Sequence, residues 1–416
     1  MAAAQHFDVM VLGAGIVGIS TAIHLQKRGL STVLIDRRGP GEETSHGNAG
    51  IIQREGVHPY LFPRSLQKLL PYAFNLKPEA QYQLGSLARI APFLLRYLRS
   101  SNPASARRTL EANIPLFEQC LTSHEALAAE AGGMELISRG GWLNLLRGSS
   151  GVASAEAELK DLAALGIDAD FVTSQELAKL EPHLDTTRAE AVIHYRDPWT
   201  VRDPGALCKA YARLFETLGG HFVQGDAGNI RRSPGGFSLG ETKADQAIIA
   251  LGPWSKPLLD QLGLKLPMGI KRGYHQHFRP VGNGGLNRPV LDSDNGFVLA
   301  PMAAGIRLTT GAEFAVQNAP FNPVQVAMTL PRARELVALG DAVEDRPWMG
   351  SRPVFPDMLP VIGAAPGIPG LWLNFGHAHH GLTLGPATGM LLAQMITGQT
   401  PFCDVAPYSA QRFTGW

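Results

Sequence analysis

The stretch Phe7-Asp8-Val9-Met10-Val11-Leu12-Gly13-Ala14-Gly15-Ile16-Val17-Gly18 decides the fold. Phe7–Leu12 is a short apolar run rich in β-formers, the pattern of a parallel strand buried on both faces. Gly13–Gly18 interrupts it, helical spacing resumes over Ile19–Arg28, and Gly29 is a plausible stop. Ser31–Ile35 reads as a second buried strand ending at Asp36. The result is a βαβ unit at the N-terminal end. Gly13 permits the tight turn, Gly15 lets the backbone approach a pyrophosphate, and Gly18 lets helix and strand pack closely. The helix N-terminus offers amides and a positive dipole end to phosphates. Asp36 stands where a carboxylate accepts hydrogen bonds from a ribose. Dinucleotide binding follows, but the motif alone does not separate NAD from FAD.

Composition bounds the remainder. The chain has 416 residues, 37 Lys and Arg against 36 Asp and Glu, and a formal net charge of +1. That length suggests two or three domains. With 45% hydrophobic and 18% charged residues, the chain is neither disordered nor built to bind nucleic acid through a basic field. Cys120, Cys208 and Cys403 are too scattered for a disulfide framework or a zinc cluster. No signal peptide and no transmembrane run is read, so a cytoplasmic location is expected, with peripheral contact at the inner face of the membrane left open.

Further along, residues 39–58 read as loop and 65–130 as mainly helical with punctuating prolines. Helices are also expected over 155–165, 174–180, 204–218, 328–339 and 386–396. Strands are expected at 246–251, at 371–375 and in several pieces between 268 and 314. The segment 87–99 combines an apolar face with arginines. It reads as a helix packed on the core, interrupted at Pro92, rather than as a membrane-surface helix.

Four more segments carry chemistry: Ser45-His46-Gly47-Asn48-Ala49-Gly50; Lys271-Arg272-Gly273-Tyr274-His275; Gly350-Ser351-Arg352-Pro353 followed by Pro356-Asp357-Met358-Leu359-Pro360-Val361-Ile362-Gly363; and Gly376-His377-Ala378-His379-His380-Gly381. With the N-terminal glycines they occur in one order over nearly the full length. In that combination the chain resembles the FAD-dependent D-amino-acid oxidase/dehydrogenase superfamily. It is most similar to the bacterial D-amino-acid dehydrogenase small-subunit branch, beside glycine oxidase and sarcosine oxidase.

The resemblance implies an α/β fold with an α+β second domain. A Rossmann-like FAD-binding domain would be assembled from 1–62, 186–262 and 346–416, and a substrate domain with an antiparallel sheet and helices from 63–185 and 263–345. It assigns Gly13, Gly15, Ile16, Val17, Gly18, Asp36 and Arg37 to the ADP half of the cofactor. Ser45, Asn48, Ala49 and Gly50 would line the flavin side, and Gly252 joins the cofactor contacts. Gly376, His377, Gly381, Leu382 and Thr383 would meet the pyrimidine edge, where a helix N-terminus stabilises the negative charge of reduced flavin.

Arg352 matches the arginine that clamps the substrate carboxylate in this superfamily, a task suited to a planar, permanently charged fork. Tyr274 and His380 complete the expected substrate contacts, although Tyr274 and His275 are equally well read as strand residues packing between domains. Arg272 is either a second substrate-facing charge or a structural ion-pair partner. No metal site is expected at His377, His379 and His380, and no cysteine lies between Gly350 and Gly363, so FAD is expected to be noncovalent.

The implied reaction is hydride transfer from Cα of a D-amino or imino acid, D-proline and hydroxyproline types included, to flavin N5, with electrons passing to quinone or another acceptor. Three alternatives stay open: a glycine/sarcosine-type oxidase using oxygen, a flavin-bearing subunit of a hetero-oligomeric dehydrogenase, and an NAD-dependent dehydrogenase. The oligomeric state is not legible.

Overall fold

The computed structural model describes residues 5–282 and 284–414. The ends of the first and last segments expected for the FAD-binding domain, residues 1–4 and 415–416, lie outside them.

The N-terminal unit forms as read: strand β1 (His6–Leu12), helix α1 (Ile16–Gln26) and strand β2 (Thr32–Asp36). β1 is the middle of a parallel set. β2 and then His221–Gln224 lie on one side; Thr242–Ile249 and then Leu371–Phe375 lie on the other. Strands more than 200 residues apart in sequence thus share one sheet, because both faces of the apolar runs need cover. The second sheet is mostly antiparallel. Its spine is the 12-residue strand Gly269–Pro280, which pairs with Gly305–Thr310, Ala312–Phe314 and Trp348–Val354. The expected α/β class with a second, antiparallel layer is therefore present.

Several boundaries differ from the sequence reading, and most turn on proline. Leu87–Ser100 is one helix with Pro92 inside it, not an interrupted segment. Ile90, Phe93 and Tyr97 face inward, and Leu87 and Leu95 face out. The C-terminal helix runs Gly381–Ile396 and holds Pro386 in its second turn instead of starting there. Pro386 cannot donate to the Leu382 carbonyl, which instead takes a hydrogen bond from His124 Nε2 at 2.7 Å. The helix expected over 328–339 spans Val324–Leu336, and Leu339–Ala342 is a strand pairing with Gly269–Pro280. Among the described residues, no helix is long and apolar enough to cross a membrane.

Candidate active site

The glycine turn is defined by close approaches. Gly13 has φ +111°, and a Cβ there would stand 2.5 Å from the Ala250 carbonyl oxygen. Gly15 caps α1 with no side-chain bond of its own, and the Ile16 amide donates to Ser45 Oγ at 3.0 Å. Asp36 accepts from the Ala14 amide at 2.7 Å and the Arg38 amide at 3.0 Å, which fixes its carboxylate at the end of β2. Arg37 is turned aside onto the Trp254 ring, 4.5 Å from its centroid, and paired with Glu43 at 2.7 Å.

From this turn a cavity of 1540 Å³ runs between the two sheets. It exceeds the roughly 300–1,000 Å³ of an ordinary ligand pocket and has room for an extended cofactor with a substrate beside it. Gly13, Gly15, Ile16, Val17, Asp36, Arg37, Ser45, Asn48, Ala49, Gly252, Gly376, His377, Gly381 and Leu382 all line it. Gly18, Gly50 and Thr383 support its wall. Thr383 Oγ1 accepts from the Gln53 amide at 3.1 Å, and the Gly50 amide donates to Asn48 Oδ1 at 2.9 Å.

The Gly381–Ile396 helix opens onto the cavity without a side-chain cap. Together with the α1 terminus it gives two helix N-termini facing one space, an arrangement suited to an anionic ligand. Ala378 has φ +52° and Met358 φ +64°, so two non-glycine residues hold left-handed backbone near one end of the cavity. The Ala378 amide donates to the Pro353 carbonyl at 2.9 Å, docking the histidine loop beside Arg352.

Of the three loop histidines, His379 and His380 touch, with ring centroids 3.7 Å apart, and each also has a partner of its own. His377 Nε2 meets Thr388 Oγ1 at 3.0 Å. His379 packs edge-on to Tyr60 at 4.8 Å, and His380 edge-on to Phe117 at 4.9 Å. Burial lowers the pKa of His377 and His380 to about 3, so both are neutral imidazoles.

Arg352 reaches the cavity over Gly273, where a Cβ would lie 2.4 Å from its Nη2, and donates from Nη1 to the Gly311 carbonyl at 2.9 Å. Burial lowers its pKa to about 10, which leaves it charged near neutral pH. Arg272 is held in a buried ion pair, and Tyr274 lines the cavity while its hydroxyl is engaged by that pair. Strand alternation turns both away from Arg352. The Tyr274 hydroxyl bonds Glu313 at 2.8 Å and Arg272 at 2.7 Å, and Arg272 pairs with Glu313. His275 stacks on Trp348, with centroids 4.8 Å apart.

Three features lie outside the sequence reading. Glu55 is 5% exposed, accepts through Oε1 from Trp142 Nε1 at 2.8 Å and Gln53 Nε2 at 3.1 Å, and leaves Oε2 without a partner. Burial, reinforced by the Glu158 carboxylate, raises its pKa to about 7. Arg307 donates through Nη1 to the His46 carbonyl at 3.2 Å and also to the Asn48 carbonyl, and its Nε bonds His277, which pairs with Glu344. This chain pins the 45–50 loop. Lys271 enters the same space as Arg352. A period-2 count along 271–275 separates Lys271 and Gly273 from Arg272 and Tyr274; for Glu55 and Arg307 no local signal exists, because Trp142, which buries Glu55, and the partners of Arg307 are distant in sequence.

Comparison with known proteins agrees with this geometry. A family model described as FAD dependent oxidoreductase matches residues 8–395. The D-amino acid dehydrogenase 2 of Ralstonia nicotianae is 30% identical, covering 97% of this chain and 100% of that protein. The D-amino-acid oxidase of Bradyrhizobium diazoefficiens is 29% identical, covering 97% and 98%. Among solved structures, glycine oxidase from Geobacillus kaustophilus superposes with a TM-score of 0.74 at 22% identity, over 99% of this chain and 100% of that one.

Proposed function

The chain belongs to the FAD-dependent oxidoreductase family, and from that premise we propose that it oxidises D-amino or imino acids at Cα. The relatives named as D-amino-acid oxidase and dehydrogenase support the substrate class. The observation that carries it is the polarity of the cavity. The Arg352 guanidinium and the Glu55 and Glu158 carboxylates all line it, and all three act on the Tyr60 hydroxyl, the carboxylates raising its pKa and the guanidinium lowering it. A zwitterion fits that pattern.

FAD, when bound, supplies the two-electron acceptor. The glycine turn, Asp36 and the uncapped Gly381–Ile396 helix are the residues that would hold it. Arg352 fixes the substrate carboxylate and hence the direction of the Cα–H bond, and such positioning contributes much of the rate. Glu55 Oε2 accepts a proton from the substrate ammonium, leaving the neutral amine that can give up hydride. Trp142 and Gln53 hold its other oxygen, so the basic lone pairs point one way.

The test is an absorption spectrum of the purified protein before and after anaerobic addition of D- and L-amino acids, prolines included. Bleaching of the flavin band by D-substrates is the expected result; a flavin band that none of them bleaches overturns the reading.

The pH profile checks Glu55 separately. Protonated below about 7, it cannot take the ammonium proton, so kcat/KM should rise with pH through that value. Glu55→Gln should remove this limb and lower kcat/KM at pH 7 by about 10- to 100-fold, with recovery as pH approaches the pKa of the free amine. A limb near 7 that persists in the variant excludes Glu55 as the acceptor.

The acceptor that reoxidises the flavin is, in our reading, a membrane quinone. Between Tyr60 and Arg108 the sequence has eight Lys and Arg against one acid, Glu79. Leu66, Leu70, Phe74, Leu76, Leu84 and Leu95 on that stretch are 56–80% exposed. Apolar contact plus basic charge is what a peripheral membrane surface requires. The protein should float with anionic vesicles and not with neutral ones, and binding should weaken in high salt.

A further inference from the structure

Lys271 and Arg352 are directly opposite one another in the antiparallel pair formed by Gly269–Pro280 and Trp348–Val354. Opposed residues in such a pair project from the same face, and like charges in that relation repel. Both line the cavity. Lys271 Nζ donates to the Tyr97 hydroxyl at 3.2 Å and sits 4.5 Å from the Tyr97 ring centroid and 5.3 Å from that of Phe314. Its charged neighbour is Arg352, another cation, and Arg352 has only a backbone carbonyl as its hydrogen-bond partner. Among the described residues neither is ion-paired with a carboxylate.

The intervening residue shows what the fold does with a cation it needs only for structure. Arg272 points to the opposite face and is neutralised by Glu313, with the Ala319 and Pro320 carbonyls completing its hydrogen bonds. Lys271 and Arg352 have no such compensation. A dehydrated charge without a partner is costly, and here there are two, side by side, facing a cavity. Phe314, opposite Lys271 on the next strand, and Tyr97 confine the lysine stem and fix where its ammonium ends.

We propose that Lys271 and Arg352 form a two-cation site for an amino acid that carries two carboxylates, of the aspartate or glutamate class. Arg352 takes the α-carboxylate and Lys271 the side-chain carboxylate. The inference rests on the reading of this cavity as an amino-acid oxidation site. Charge balance favours it: two carboxylates meet two cations while the substrate ammonium meets Glu55. A monocarboxylic substrate leaves Lys271 without an anion. Burial and the neighbouring Arg352 lower the Lys271 pKa to about 7, and an arriving carboxylate favours the protonated form.

Steady-state kinetics of the FAD-loaded enzyme with an artificial acceptor test this. D-aspartate and D-glutamate are compared with their isosteric amides, D-asparagine and D-glutamine, and with D-alanine. The wild type is expected to prefer acid over amide by about 30-fold or more in kcat/KM, because an amide leaves the lysine charge unpaired. Lys271→Met should collapse that ratio to within about threefold of unity, with the loss in the KM of the acids, and Lys271→Arg should restore part of it. A wild type that prefers amides or D-alanine, or a ratio unchanged by Lys271→Met, overturns the two-cation site while leaving amino-acid oxidation standing. Failure of every amino acid to reduce the flavin overturns both.

Discussion

Arg352→Ala should raise the KM for the amino-acid substrate about 100- to 1,000-fold while FAD stays bound. The magnitude comes from two parallel charge-assisted hydrogen bonds lost together, roughly 3–4 kcal/mol at a dehydrated site, where each factor of ten is about 1.4 kcal/mol. Lysine should rescue little, because a point charge cannot reproduce the planar fork. Stability separates this from structural damage. Arg352 bonds one backbone carbonyl and is flanked by a second cation, so its removal relieves repulsion instead of breaking an ion pair. The variant should melt at or above the wild-type temperature and keep its flavin absorbance. It should also let the Lys271 pKa move up, since Arg352 is one of the two causes holding it down. Unchanged KM, with full flavin content, would refute the clamp.

What the sequence made legible was local or parity-based. The β1–α1–β2 unit could be read because each of its three pieces has its own signature, periodicity for the elements and glycines for the turn. Asp36 could be placed because strand ends are where carboxylates meet a ribose in such units. The loop and clamp segments were legible only as a set, through resemblance. The misread boundaries came from treating proline as a stop. Pro92 and Pro386 both lie within helices, and the Pro386 site is tolerated because His124, more than 250 residues away, bonds the carbonyl it abandons. No local rule anticipates that compensation.

Glu55 and Arg307 escaped for a similar reason. A glutamate in a glycine-rich loop ordinarily reads as solvated. Its burial against Trp142 and Gln53, beside Glu158, exists only after three segments converge. Arg307 sits on an alternating strand and acts on residues 46 and 48, which the sheet brings to it. The face of Lys271, by contrast, was available from strand parity. Its partner across the ladder was not, since register is set by tertiary pairing.

Gly18→Ala should abolish FAD retention and cost about 3 kcal/mol or more of stability. A Cβ at this position would lie 1.8 Å from the Gly13 carbonyl oxygen and 3.4 Å from the Ala250 Cβ. The first distance is far inside contact and the obstacle is backbone, so no rotamer change relieves it. Nor can Gly13 retreat, because its own α-carbon already faces the Ala250 carbonyl. The remaining escape is for α1 to lift from the sheet, which opens the packing of Ile19, Ala22 and Ile23, all fully buried. It also displaces the amides that meet the cofactor.

Two other glycines calibrate the effect. Gly29→Ala meets no atom within 4 Å and carries only the strain of φ +81°, roughly 1 kcal/mol, so flavin content should be unchanged. Gly15→Ala meets only Ser45 Oγ, at 3.3 Å. It should fold normally yet bind FAD weakly, since the added methyl stands where the backbone must approach phosphate. Flavin absorbance per protein, read beside the melting temperature, orders the three. If Gly18→Ala retains flavin and melts with the wild type, α1 does not seat on the glycine turn in the way that makes this end of the cavity a dinucleotide site.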